Sequence, residues 1–212
     1  MRIKSVILCM MLIVFLSLSS CTFGIKPSEA EQYLIEKYGG EWTAFHEPVT
    51  SLRNYSTTYF FETENDGIIK QVRTVYQRGK FTDDYDDCDV KKALHDTLVW
   101  GMSLKAMQSF CDVREMSSVF PSGNNWYSAD IMIKEPSFKV SEPSLRMCLL
   151  QSAYDVNMEV LIYVLSDKDY EDCQRYYEKT LSLDVWTINR YKYLQTFKAT
   201  YQNKMWTISD VR

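Results

Sequence analysis

Histidine is nearly missing from this chain: its 212 residues include two, His46 and His95. That scarcity restricts acid–base and metal chemistry built on imidazole. The two fall in different predicted elements and form neither an HExxH nor an HxxxH spacing. His95 and Asp96 are neighbours on a predicted helix and so project in different directions. GxSxG, SxxK, GxGxxG and the P-loop pattern are also absent, which leaves acyl transfer and nucleotide binding without their usual residues. With no CxxC or CxxxC pair, a zinc site or a thioredoxin-like dithiol lacks its spacing. No basic block and no solenoid-length repeat occurs, which argues against nucleic acid and against a repeat array. Glycine (7) and proline (5) are few, whereas Tyr (15), Phe (10) and Trp (5) are plentiful. Such a mixture favours regular structure and well-filled sheets.

The first 21 residues are the most informative. Arg2 and Lys4 precede an apolar run from Val6 to Leu16, and Leu18-Ser19-Ser20-Cys21 follows. A basic segment stays cytoplasmic, an apolar segment enters the bilayer, and small residues before the cut fit a peptidase pocket. The run is shorter than the ~20 residues that span a bilayer, and serines interrupt its end. On these residues the segment resembles the signal peptide of bacterial lipoproteins, with Leu18, Ser19 and Ser20 as the lipobox and Cys21 as the lipidated residue. The resemblance covers residues 1–21 alone. It implies removal of residues 1–20, including Cys9, and a diacylglyceryl group with acyl chains such as palmitate on Cys21. It further implies a protein held on the cell membrane or outer membrane and facing away from the cytoplasm. Thr22 stands where an Asp would signal inner-membrane retention, so which membrane stays open. Two acyl chains on one residue hold a protein on a bilayer stably.

Without residues 1–20 the chain has 212 − 20 = 192 residues and a formal net charge of 24 − 2 − 28 = −6, since the removed segment carries only Arg2 and Lys4. That length supports one sizeable domain or two small ones. Its acidity argues against an electrostatic grip on nucleic acid or anionic lipid. Cys88, Cys111, Cys148 and Cys173 could form two disulfides outside the cytoplasm, or serve as small buried apolar residues.

Residues 21–27 read as a short tether, and Ser28 with Glu31 as a capping box that starts a helix. Ala30, Tyr33, Leu34 and Tyr38 form its apolar stripe, and Gly39-Gly40 its stop. Strands are expected over 41–48, 55–62 and 68–78, with Asn65-Asp66-Gly67 as a hairpin turn. A helix spans 90 to about 107 and strands 111–120 and 126–134, while 144–154, with its apolar run Met147-Cys148-Leu149-Leu150, suits a buried helix or a strand, the helix being preferred. A core strand at 158–165, a helix from Ser166 and a terminal hairpin over 190–209 complete the chain. Hairpins mixed with helices, without regular βα alternation, predict an α+β fold of antiparallel sheet with packed helices. The helix leading into a meander is similar in element order to cystatin and NTF2-like folds, which licenses no function. One domain over 28–212 is expected, with a possible subdivision near 110.

The densest local anomaly is Asp83, Asp84, Asp86, Asp87 and Asp89. Clustered carboxylates suit calcium, but no EF-hand register fits, and a solvated loop capping the next helix is the plainer reading. The five tryptophans share no spacing that would mark a glycan groove. No catalytic residue and no cofactor is implied. The expected function is a lipid-anchored, non-enzymatic module that binds a protein or an envelope component. Two alternatives stay open: an envelope hydrolase using carboxylates from separate segments, and a lipoprotein that binds a small ligand or an ion.

Overall fold

A computed structural model describes residues 25–65, 67–116, 126–149, 156–183 and 185–211. The fold is α+β, with two sheets and five helices among these residues. The chain divides into two compact units, one ending at Cys88 and the other starting at Asp89. This division lies ahead of position 110. It follows the sheets, because β1–β4 pair only among themselves and β5–β9 likewise.

The first unit opens with α1 (Pro27–Tyr38), followed by the antiparallel meander β1 (Thr43–Ser51), β2 (Ser56–Asn65), β3 (Ile68–Gln77) and β4 (Lys80–Asp83). The expected capping box does not form: Lys26 is the N-cap, no side chain caps the helix, and Pro27 takes the first helical position. Proline is pre-set for that position and has no amide to satisfy, so Ser28 falls inside the first turn. Gly39 closes the helix at φ 73°, donating its amide to Ile35 O. Ala30 and Leu34 pack on Tyr59, Phe61 and Val72, which alternate on one face of the meander, with Trp42 and Cys88 filling the edges. β4 went unrecognised in the sequence, where 80–89 reads as an acidic loop.

The second unit holds α2 (Cys88–Ser103, which begins at the boundary), β5 (Ser109–Glu115), β6 (Trp126–Lys134), α3 (Glu142–Leu149), β7 (Asn157–Leu165), α4 (Asp167–Thr180), α5 (Val185–Arg190), β8 (Tyr193–Gln202) and β9 (Met205–Asp210). Its strands lie in chain order, antiparallel except for β6 and β7. The sheets are thus mostly antiparallel, with this one parallel pair. A parallel step needs a crossover, and α3 lies within it.

Both faces of this sheet are covered. On one, Leu94, Leu98 and Met102 of α2 and Leu145, Cys148 and Leu149 of α3 pack on Ile131, Ile133, Val160, Ile162, Phe197 and Ala199. On the other, Tyr170 and Cys173 of α4 and Ile188 of α5 pack on Phe110, Met132, Tyr163 and Leu165. Burial on two faces accounts for the nearly unbroken apolar runs of β6 and β7. Ser166 caps α4 as its sequence implies, accepting from the Asp169 amide.

Candidate functional site

Leu18, Ser19, Ser20 and Cys21 lie outside the described residues. The candidate sites that can be located belong to three places, each built differently.

The aspartate cluster is taken apart by the fold. Asp83 ends β4 with its side chain 2% exposed, and its oxygens are claimed. Oδ2 accepts from Tyr33 Oη at 2.6 Å and Lys37 Nζ at 2.8 Å, and Oδ1 from Tyr38 Oη at 2.6 Å and the Tyr85 amide at 3.2 Å. Burial alone would push this carboxyl up; the hydrogen bonds from Lys37, Tyr33 and Tyr38 outweigh it and hold the group below its ordinary range. Around it, Tyr33 stacks on Phe81, Tyr38 stacks on Tyr85, and Lys70 lies over the Tyr85 ring. Asp83 thus fastens α1 to the meander. Asp84 accepts the Arg73 amide at 2.6 Å, while Asp86 and Asp89 are exposed. This arrangement gives the metal reading of Asp83, Asp84, Asp86, Asp87 and Asp89 no support. No three His, Cys, Asp or Glu among the described residues stand together as metal ligands.

Of the two readings of the cysteines the structure has the buried one: Cys88, Cys111, Cys148 and Cys173 are buried and form no disulfide. Cys88 belongs to the first unit's core, and the five-stranded sheet separates Cys173 from Cys111 and Cys148. Cys111 and Cys148 share a core, yet each thiol points to a backbone carbonyl, of His95 and Ser144 respectively. Desolvation pushes the Cys111 thiol well up and the Cys173 thiol up to about 12, so neither is nucleophilic near neutral pH.

Of the histidines, His95 hydrogen-bonds Asp96 at 3.0 Å on the exposed side of α2. His46 lies on β1, where register shifts on either side of it disturb the ladder. The first shift brings both Phe45 and His46 beside the Phe60 ring, at 6.1 and 4.9 Å between centroids. A groove of about 390 Å³ runs here, lined by Pro27, Phe45, His46, Pro48, Tyr59 and Phe60 among others.

The third place was missed in the sequence. Asp112 of β5 and Asp130 of β6 are directly opposed in the ladder, both buried, and Arg114 pairs with each. Asp112 Oδ2 also accepts the Leu183 amide at 2.9 Å, tying down the segment after α4. Nearby on the same face, Lys198 bridges Glu159 at 2.7 Å. Charged residues at alternate positions of otherwise apolar strands were the available signal. As arranged, the carboxylates hold Arg114 and a backbone amide.

No family model matches the chain, and no curated protein matches it. Its fold is similar to that of a solved structure, a DUF5037 family protein from Ruminococcus gnavus ATCC 29149. The TM-score is 0.53 at 13% identity, covering 83% of this chain and 91% of that one. At that identity the likeness concerns fold alone. A second likeness, to the GH3.15 acyl acid amido synthetase, has a TM-score of 0.33 at 12% identity over 67% of this chain and 34% of that one, too loose to carry any argument.

Proposed function

We propose that this chain is a lipoprotein anchored outside the cytoplasm through Cys21, whose folded part is a binding module. The observation that carries the reading is Leu18-Ser19-Ser20-Cys21 behind a basic and then apolar segment. The position of α1 supports it. Pro27 is already helical, six residues beyond Cys21, so the tether is short and the first unit stays close to the bilayer.

A non-enzymatic role is supported by what the buried carboxylates do. Asp83 holds Tyr33, Lys37 and Tyr38, and Asp112 and Asp130 hold Arg114 and the Leu183 amide. Each is spent on joining elements. The partner is a protein or another envelope component, and nucleic acid is disfavoured by the acidic charge.

Metabolic labelling with an alkyne-bearing palmitate tests the anchor. Wild type takes up label and fractionates with membranes, whereas Cys21→Ala stays unlabelled and keeps residues 1–20. Processing and labelling of Cys21→Ala like wild type would falsify the anchor. In-cell crosslinking followed by capture of the tagged full chain then tests for a partner, and a chain that crosslinks to no defined species across repeated captures refutes the binding module.

A further inference from the structure

In the second unit, β6 and β7 run parallel, and the chain leaves their carboxyl ends toward opposite faces of the sheet. After β6 it passes through residues 135–141 to α3, whose Leu145, Cys148 and Leu149 cover one face. After β7 it enters α4, whose Tyr170 and Cys173 cover the other. Where neighbouring parallel strands diverge in this way a crevice opens beyond their carboxyl ends, and ligands of open α/β sheets bind there. That place holds a groove of about 390 Å³, lined by residues 135–140 together with Val164, Leu194 and Gln195.

Both walls of the groove are preformed. The loop is fastened at its two ends, by the Glu135 amide donating to Leu165 O at 2.8 Å and by Gln195 Nε2 donating to Val140 O at 3.3 Å. The facing wall is set by a shift of register: Val164 stands opposite Gln195 but Leu165 opposite Tyr193, so Leu194 is the extra residue of a bulge. A bulge re-aims a side chain, and Leu194 is 46% exposed here, while Phe138 of the loop is 40% exposed. The loop also carries two charges of opposite sign, Glu135 and Lys139, both exposed. Among the described residues neither side chain is engaged in an ion pair or hydrogen bond, with the other or with a third group.

We propose that this groove binds a small zwitterion with an apolar side chain, a free amino acid. Its ammonium pairs with Glu135, its carboxylate with Lys139, and its side chain rests on Phe138 and Leu194. A simple anion would meet the Glu135 carboxylate and a simple cation the Lys139 ammonium, so a ligand that carries both charges is the complementary one. The volume stands at the low end for ligand pockets, which suits an amino acid and leaves no room for a helix of a protein partner. Because both charges are exposed, each pairing contributes modestly and the binding is weak.

The site needs neither a lipid on Cys21 nor a captured protein partner, so it stands or falls apart from them. Saturation-transfer NMR on the detergent-solubilised full chain tests it, with L-leucine as the probe. N-acetyl-L-leucine, which lacks the ammonium, and L-leucinamide, which lacks the carboxylate, should each bind about fivefold more weakly than L-leucine. Glu135→Gln should weaken L-leucine by the same factor and leave N-acetyl-L-leucine unchanged, whereas Lys139→Met should weaken L-leucine and leave L-leucinamide unchanged. Both residues lie on the surface, and an unaltered Tm shows that each variant folds. The proposal is overturned by L-leucine failing to bind at about 10 mM, by blocked forms that bind as well as L-leucine, or by variants that leave its affinity unmoved.

Discussion

Asp112 and Asp130 face each other across the β5–β6 ladder, both buried, and the guanidinium that separates their charges comes from Arg114, two residues along the same strand as Asp112. Removing that cation leaves two buried carboxylates side by side. Arg114→Met should therefore destabilise the second unit by about 3 kcal/mol, the low end for breaking a buried pair because Arg114 is partly exposed. Adding Asp130→Asn should recover part of the loss, since one charge is gone and the amide still bonds. Urea unfolding of the two variants checks this. If the double variant is no more stable than Arg114→Met alone, the like-charge account is wrong.

Asp83 makes a prediction about pH. Its folded pKa lies below the unfolded value, so its stabilisation is full above that unfolded value, near 3.8, and is lost as pH falls through the folded pKa. The partner tyrosine works in the opposite sense. Desolvation first, and then its bond to Asp83, push Tyr38 up to about 12 from 10.0, so its stabilisation is present below 10 and vanishes between about 10 and 12. The first unit should thus weaken at both ends of the scale. Asp83→Asn should flatten the acid limb and cost about 1.5–3 kcal/mol at neutral pH, the range for hydrogen bonds to a charged group. Chemical denaturation from pH 2 to 12 reads both, and an unaltered acid limb in the variant rules out Asp83 as its source.

Much of this architecture was legible from sequence, and the misses share a physical origin. The 3–4 spacing of α1 and the Ser166 cap of α4 are local signals, and both elements are found where expected. The residue preceding α1 was misjudged because Pro27 competes with Ser28 to start the helix. β4 is four residues long and α5 six, too short for a period to show. The parallel pairing of β6 with β7 depends on a crossover that residue pattern does not encode. The candidate sites were less legible still. Asp112, Arg114 and Asp130 meet only through strand register, and Asp83 meets Tyr33, Lys37 and Tyr38 across some 45 to 50 residues of chain.

The cysteines supply a chemical test. Among the described residues the four thiols are buried and none is joined in a disulfide. Iodoacetamide at pH 8 should leave Cys88, Cys111, Cys148 and Cys173 unmodified in the folded protein, because burial blocks access and, at Cys111, Cys148 and Cys173, disfavours the thiolate. In guanidinium without reductant all four should alkylate, each adding one carbamidomethyl group by mass. Any site that labels only after reduction was a disulfide, contrary to the structure.

Gly101 sets how closely α2 approaches α3. A Cβ built there would sit 2.4 Å from the carbonyl oxygen of Cys148, which is backbone and cannot swing aside. Two effects then oppose each other in Gly101→Ala. Helix propensity favours alanine by about 1 kcal/mol in a helix interior. Overpacking a filled core costs about 1–3 kcal/mol, more where backbone must shift. The contact is far inside van der Waals distance and lies beside Leu98, Met102, Leu145 and Leu149 of one continuous core, so the steric cost should win. A lower Tm for Gly101→Ala is expected, with a smaller change at exposed Ala93 of the same helix when it is replaced by Gly as a propensity control. The sign decides the matter: a Tm raised by Gly101→Ala would mean that α2 and α3 have slack between them and that glycine is not what lets them pack.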